Sequence, residues 1–209
     1  MKTFFLGLLI LVSVACLGNT QKRDLSPFTE VTLRIEASVY IVQGDSQSVS
    51  ITANHETLDK IVTEVRDRKL VIRYSVSDRL NSKWTPGPIS IRITMPEITG
   101  LSVSGEGDIL AEKTLKTRIL ELSLSGSGNI KLANIESEKV TATMAGSGDI
   151  IFSGNQPSKE LKVVLTGTGN VRAGQFPVER SDIRITGSGY ANVNVNEQLD
   201  VRILGSGSG

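Results

Sequence analysis

The chain has 209 residues, 23 basic against 22 acidic, for a formal net charge of +1. That balance supplies no cationic stripe of the kind nucleic acid demands, and the length allows one sizeable domain or two small ones. Aromatics make up only 4% of the chain while 20 residues are Gly, which suits thin, closely stacked β-structure better than a bulky core.

Residues 1–20 read as a signal peptide. Lys2 gives the positive start and Phe4 to Ala15 an apolar stretch of twelve residues, shorter than the roughly 20 that a bilayer span needs. Cys16, the only cysteine, closes that stretch. Ser13-Val14-Ala15-Cys16 resembles a bacterial lipoprotein box and makes Cys16 the candidate lipidation site. Ser13 and Ala15 equally satisfy the small-x-small rule of ordinary signal peptidase, so lipidated and freely exported forms both stay open. A lone Cys leaves no disulfide within the chain. Residues 21–209 are expected as one domain, exported to the cell envelope or secreted, meeting a membrane only through a lipid anchor.

Residues 28–98 alternate like strands but irregularly. "EVTLRIEASVYIVQGD", "SVSITA", "KLVIRYSV" and "ISIRITMP" are the strand stretches, with one short helical turn expected at 55–60. The pattern suggests wider, imperfect coils and an N-terminal cap. His55, the only histidine, has no Cys or second His beside it for a zinc set, and a polar cap is its ordinary role. Between the last two strands lies a Pro-rich loop holding Trp84, which with Tyr74 forms the candidate partner contact, because loop aromatics often anchor glycans or proteins. Packing at the wide end of the fold is the alternative for both.

Residues 99–209 carry a repeat. Gly-x-Gly recurs at Gly105, Gly126, Gly146, Gly167, Gly187 and Gly205, with spacings of 21, 20, 21, 20 and 18 residues. Apolar residues alternate on both sides of each tripeptide: Leu101 and Val103 before the first, Ile109 and Ala111 after it. Period-two alternation marks strands with one buried face. About twenty residues are too few for a strand-helix-strand unit and suit one coil of a parallel β-helix. The expected fold is therefore all-β: a single-stranded right-handed parallel β-helix with rungs of about 20 residues and a less regular N-terminal cap. A dinucleotide loop would need a third Gly and a following helix, whereas these units continue as strands, so the tripeptides read as corners.

After each corner stand Asp108, Asn129, Asp149 and Asn170, then Tyr190. Asp and Asn settle tight corners by bonding their own turn. In register, the two carboxylates would stand two rungs apart, about 9–10 Å. That spacing lies at the limit for an inverting glycosidase pair, and the corners lack the oxygen density calcium wants. No catalytic, metal or cofactor residue is assigned.

"RDLSPFTEVTLRIEASVYIVQGD", "LDKIVTEVRDRKLVIR" and the serial Ser-Gly-x-Gly-[Asp/Asn]-[Ile/Val] units together resemble the head GIN domain family of auto-transporter adhesins, from about residue 23 to the end. The resemblance implies an envelope-associated β-helical domain of a Gram-negative bacterium and brings no catalytic residues. Such domains usually continue past the last corner with a closing strand, which is missing after Gly205, so a C-terminal cap is expected to have been lost. The expected function is a non-enzymatic binding or adhesion module displaying its surface to a glycan or to an envelope or host-surface protein. A polysaccharide-active β-helix enzyme and a structural envelope lipoprotein are the alternatives.

Overall fold

The structure, a computed structural model, describes residues 18–75 and 84–209. Cys16 and most of the signal segment lie outside the described residues. In chain order the elements are β1 (Asn19–Arg23), β2 (Glu30–Leu33), β3 (Ser38–Gln43), β4 (Ser48–Ala53), α1 (His55–Lys60), β5 (Ile61–Arg66), β6 (Lys69–Tyr74) and β7 (Ser90–Met95). The repeat region follows as β8 (Gly100–Gly105), β9 (Asp108–Lys116), β10 (Ile119–Gly126), β11 (Asn129–Glu136), β12 (Lys139–Gly146), β13 (Asp149–Ser153), β14 (Ser158–Gly167), β15 (Asn170–Gly187) and β16 (Tyr190–Gly205).

Alternation gives the strands of the repeat a face to bury, and each corner folds one strand toward the next so that these faces meet. The result is a parallel β-solenoid of about 5 turns. Strands leading into a corner, β8, β10, β12, β14 and the second half of β15, stack as a first wall. Strands leaving a corner, β9, β11, β13 and the first halves of β15 and β16, stack as a second wall. The register keeps the sequence columns aligned: Leu101, Leu122, Ala142, Val163 and Ile183 stand one above another, all buried. Phe152 and Phe176 meet edge to face inside, with ring centroids 5.1 Å apart.

The first Gly of each corner has a positive φ between 116° and 148°, a backbone that costs a side chain dearly. Stacking dictates the second. A Cβ on Gly148 would lie 1.9 Å from the Gly128 carbonyl oxygen of the preceding rung. Corner amides serve the same stack: Ser127 and Gly128 both donate to the Gly105 carbonyl, at 3.1 and 2.9 Å. Thr168 and Gly169 donate in the same way to Gly146, each at 3.0 Å. An anion cradle needs such N–H groups unspent, so these corners join rungs instead.

The first rung is not the end of the stack. β2 and β3 pair in parallel with β8 and β9 on one side and with β6 and β7 on the other. The chain lays down β2 and β3, passes outward through β4, α1 and the antiparallel pair β5–β6, then returns through β7. From there it crosses the first rung to continue at β8. β4 runs antiparallel to β7, and β1 antiparallel to β4. Residues 28–98 are thus a regular inner rung, an outer parallel layer and antiparallel edge strands, where the sequence suggests wider, imperfect coils and an N-terminal cap. The helical turn falls where expected, with Asn54 as N-cap accepting from the Thr57 amide at 2.7 Å. At the far end β16 pairs with β15 and, at Tyr190, bridges to Ser208, and its Leu199, Val201 and Ile203 are exposed.

Candidate functional site

The loop aromatic and its neighbour come together at the outer N-terminal layer. Trp84 is half-buried, edge to face with Tyr74 at 5.0 Å between centroids, and Lys60 Nζ sits 4.4 Å above the Trp84 ring. The Tyr74 hydroxyl is buried without a hydrogen-bond partner among the described residues. Burial above all, with the charge of Glu36 adding to it, pushes its pKa up to about 12. The two rings pack on one another, and both keep part of their surface exposed. His55 starts α1, exposed, with Nδ1 3.3 Å from the Asp59 carboxylate one turn on.

The corner column is a hydrogen-bonded ladder in pairs. Asn129 Nδ2 donates to Asp108 Oδ1 at 2.7 Å, and Asn170 Nδ2 donates to Asp149 Oδ1 at 2.7 Å. Asn129 stands in register between Asp108 and Asp149, keeping the carboxylates two rungs apart. Arg172 approaches Asp149 at 3.7 Å. Among the described residues no group of His, Cys, Asp or Glu is placed to hold a metal ion.

Two residues further along the same outward face lies a column of a different kind. Leu110, Lys131, Ile151, Arg172 and Asn192 stand in register across β9, β11, β13, β15 and β16. Pleating aims this column at solvent, yet Leu110 and Ile151 are aliphatic and half-buried. The register shifts just beyond it, between Leu132 and Asn134, Ile151 and Ser153, and Ala173 and Pro177. Extra residues bend a strand, and small groups at Ala133, Ser153 and Gly174 leave the bend open. The wall therefore carries a mainly apolar groove of about 580 Å³, with Tyr190 at its β16 end. A Cβ on Gly174 would meet Asn192 Oδ1 at 2.3 Å, so any larger residue there would shift that exposed side chain.

Sequence reasoning missed this groove because its residues come one per rung, about twenty positions apart. Each looks like an ordinary outward position. The available signal was the aliphatic identity of Leu110 and Ile151 in a column whose alternation calls for polar groups. A second cleft of about 450 Å³ is polar and bounded by Glu36, Glu106 and Asp108 with the Pro86-Gly87-Pro88 stretch.

Solved structures share this architecture. "A putative adhesin" from Bacteroides fragilis superposes with a TM-score of 0.78 at 20% identity, covering 93% of this chain and 96% of that one. A "putative lipid binding protein" from Parabacteroides distasonis gives 0.71 at 23% identity, covering 91% and 94%. "A putative adhesin" from Parabacteroides merdae gives 0.64 at 16%, again covering 91% and 94%. At such identities the likeness is one of fold. No curated protein matches the chain. The family model "Putative auto-transporter adhesin, head GIN domain" matches residues 27–208, nearly all of the described domain, and the chain belongs to that family.

Proposed function

We propose that the chain is a non-enzymatic, exported cell-envelope binding module that engages its partner through the outer face of the second wall. The observation that carries this is the pair Leu110 and Ile151, aliphatic groups held on a solvent-facing column and lining a groove. Contiguous apolar surface on a soluble face commonly marks an interaction site. Membership of an adhesin family supports both export and binding.

The lining also narrows the partner. Glycan recognition rests on flat aromatic faces surrounded by polar groups, and Tyr190 is the single aromatic side chain exposed along this groove. A partner that presents an apolar group fits better than a plain polyhydroxylated surface. The fold neighbour named for lipid binding points the same way. A polysaccharide-active site finds less support. Glycoside hydrolysis needs one carboxyl free to donate a proton and another free to attack or activate water, whereas Asp108 and Asp149 are both engaged by Asn129 and Asn170.

The test replaces Leu110 and Ile151 together by Thr, which keeps strand propensity while removing aliphatic area. Retention of purified protein on isolated cell envelopes is measured by co-sedimentation. The double variant should bind about tenfold more weakly, as loss of that apolar contact implies. Equal retention by a folded variant overturns the assignment of this wall.

A further inference from the structure

We infer that the groove on the second wall accommodates a single-chain anionic amphiphile, an alkyl chain ending in a carboxylate. The inference rests on the reading of that wall as the binding face and names its ligand. Three observations carry it: the shape of the groove, its apolar floor and the placement of its charges.

The groove runs across strands, from Leu110 to Asn192, spanning four rung steps or about 19 Å. Its volume of about 580 Å³ falls within the roughly 300–1,000 Å³ usual for small-ligand sites. Leu110, Ile151 and Ala133 supply aliphatic floor. Lys131 and Arg172, which interleave with them, extend that floor with their methylene stems and carry their cationic heads to the rim.

The charges give the ligand a direction. Lys131 has no ion-pair partner among the described residues. Arg172 has Asp149 alone, at 3.7 Å, and Asp149 already accepts from Asn170 at 2.7 Å. At the β16 end the Tyr190 oxygen accepts from Asn192 Nδ2 at 3.2 Å, leaving its own O–H to donate outward. Arg172, in register with Asn192, and Tyr190, which Asn192 bonds, thus offer donors for a carboxylate at the same end of the groove, with Lys131 two rungs further along. Glu112 stands at the opposite end of the groove and repels a carboxylate placed there. The head sits by Arg172 and Tyr190, and the alkyl chain runs over Ile151 and the Lys131 stem toward Leu110.

The experiment uses the purified protein and a dansyl-labelled undecanoic acid, with displacement by dodecanoate, by dodecanol and by phosphatidylglycerol vesicles. Probe fluorescence should rise on binding and fall when dodecanoate is added, with dodecanol at least tenfold weaker because a charge-assisted contact is lost, as is about usual for such bonds. Arg172→Gln should erase most of that preference for the carboxylate. Ile151→Asp should abolish probe binding, and Arg66→Gln, on β5 at the far edge of the outer layer, should leave it unchanged. Failure of dodecanoate to displace the probe, equal displacement by dodecanol, or an Arg172→Gln protein with the full preference would each overturn the proposal. So would binding to vesicles alone, which would mean a membrane surface and not a single amphiphile. If amphiphile binding fails while the Leu110 and Ile151 double variant still loses envelope retention, the ligand is wrong and the binding face stands. If both fail, so does the face.

Discussion

Tyr74 concentrates the cost and benefit of packing at one atom. Its ring gains from the edge-to-face contact with Trp84, while its hydroxyl is buried with no hydrogen-bond partner among the described residues. The folded state therefore favours the neutral phenol, with the pKa raised from 10.0 to about 12. Sign follows from linkage: the neutral form's advantage is complete below pH 10 and disappears as pH rises from 10 to about 12. A tyrosinate absorbance titration should show a late step near pH 12 that Tyr74→Phe removes while leaving stability at neutral pH unchanged or higher, since an unpaired hydroxyl is lost. A variant curve that keeps the late step would disprove the assignment. The sequence marked Trp84 and Tyr74 as notable residues. It could not show that they meet each other and Lys60, because residues ten and more positions apart come together only in the fold.

At the scale of the element, the corner is the feature most legible in the sequence. Six Gly-x-Gly units at a nearly constant spacing declare a stack because no side chain fits where successive backbones touch. That predicts an asymmetric response to the smallest substitutions. Gly148→Ala must push a methyl group into the Gly128 carbonyl, 1.9 Å away in rigid neighbouring backbone, and should cost about 3 kcal/mol. Ser147→Ala, exposed on the same corner, should change stability by less than about 0.5 kcal/mol. Equal chemical-denaturation midpoints for the two variants would refute the stacking account. Between corners, Lys116–Glu136, Lys139–Glu160 and Lys159–Glu138 pair across neighbouring rungs at 2.8, 2.9 and 3.0 Å. Lys159 holds the Glu138 carboxyl below its ordinary range, chiefly through their hydrogen bond. Such exposed pairs favour one register more than they add stability. Less legible were the bends beyond Leu132, Ile151 and Ala173. A bend arises when one strand has more residues than its neighbour, a comparison between rungs that no single stretch reveals, and the groove is its product.

For the whole molecule, stability should follow position in the stack, since each rung rests mainly on its immediate neighbours. β10 to β13 are paired on both sides, whereas β16 has β15 on one side and, on the other, a bridge at Tyr190 to Ser208. Hydrogen–deuterium exchange followed by mass spectrometry should find β16 exchanging fastest in the repeat region and β10–β13 slowest. Protection of β16 equal to that of β12 would contradict nearest-neighbour stacking. The all-β stack and its columns could be read from local alternation. The order of the first layers could not, because Glu30 pairs with both Lys69 and Gly100, and Ser38 with both Ser90 and Asp108, choices made only when distant segments meet. That arrangement has a consequence for synthesis. A chain emerging from its N-terminus releases β2 and β3 long before either of their flanking layers exists. The outer edge of that rung can gain β6 and β7 first, but its inner edge stays unpaired until β8 and β9 have appeared, a window in which bare strands invite association with other chains. The innermost rung of the cap is thus made first and secured last, and whatever escorts the nascent chain must shield it for that interval.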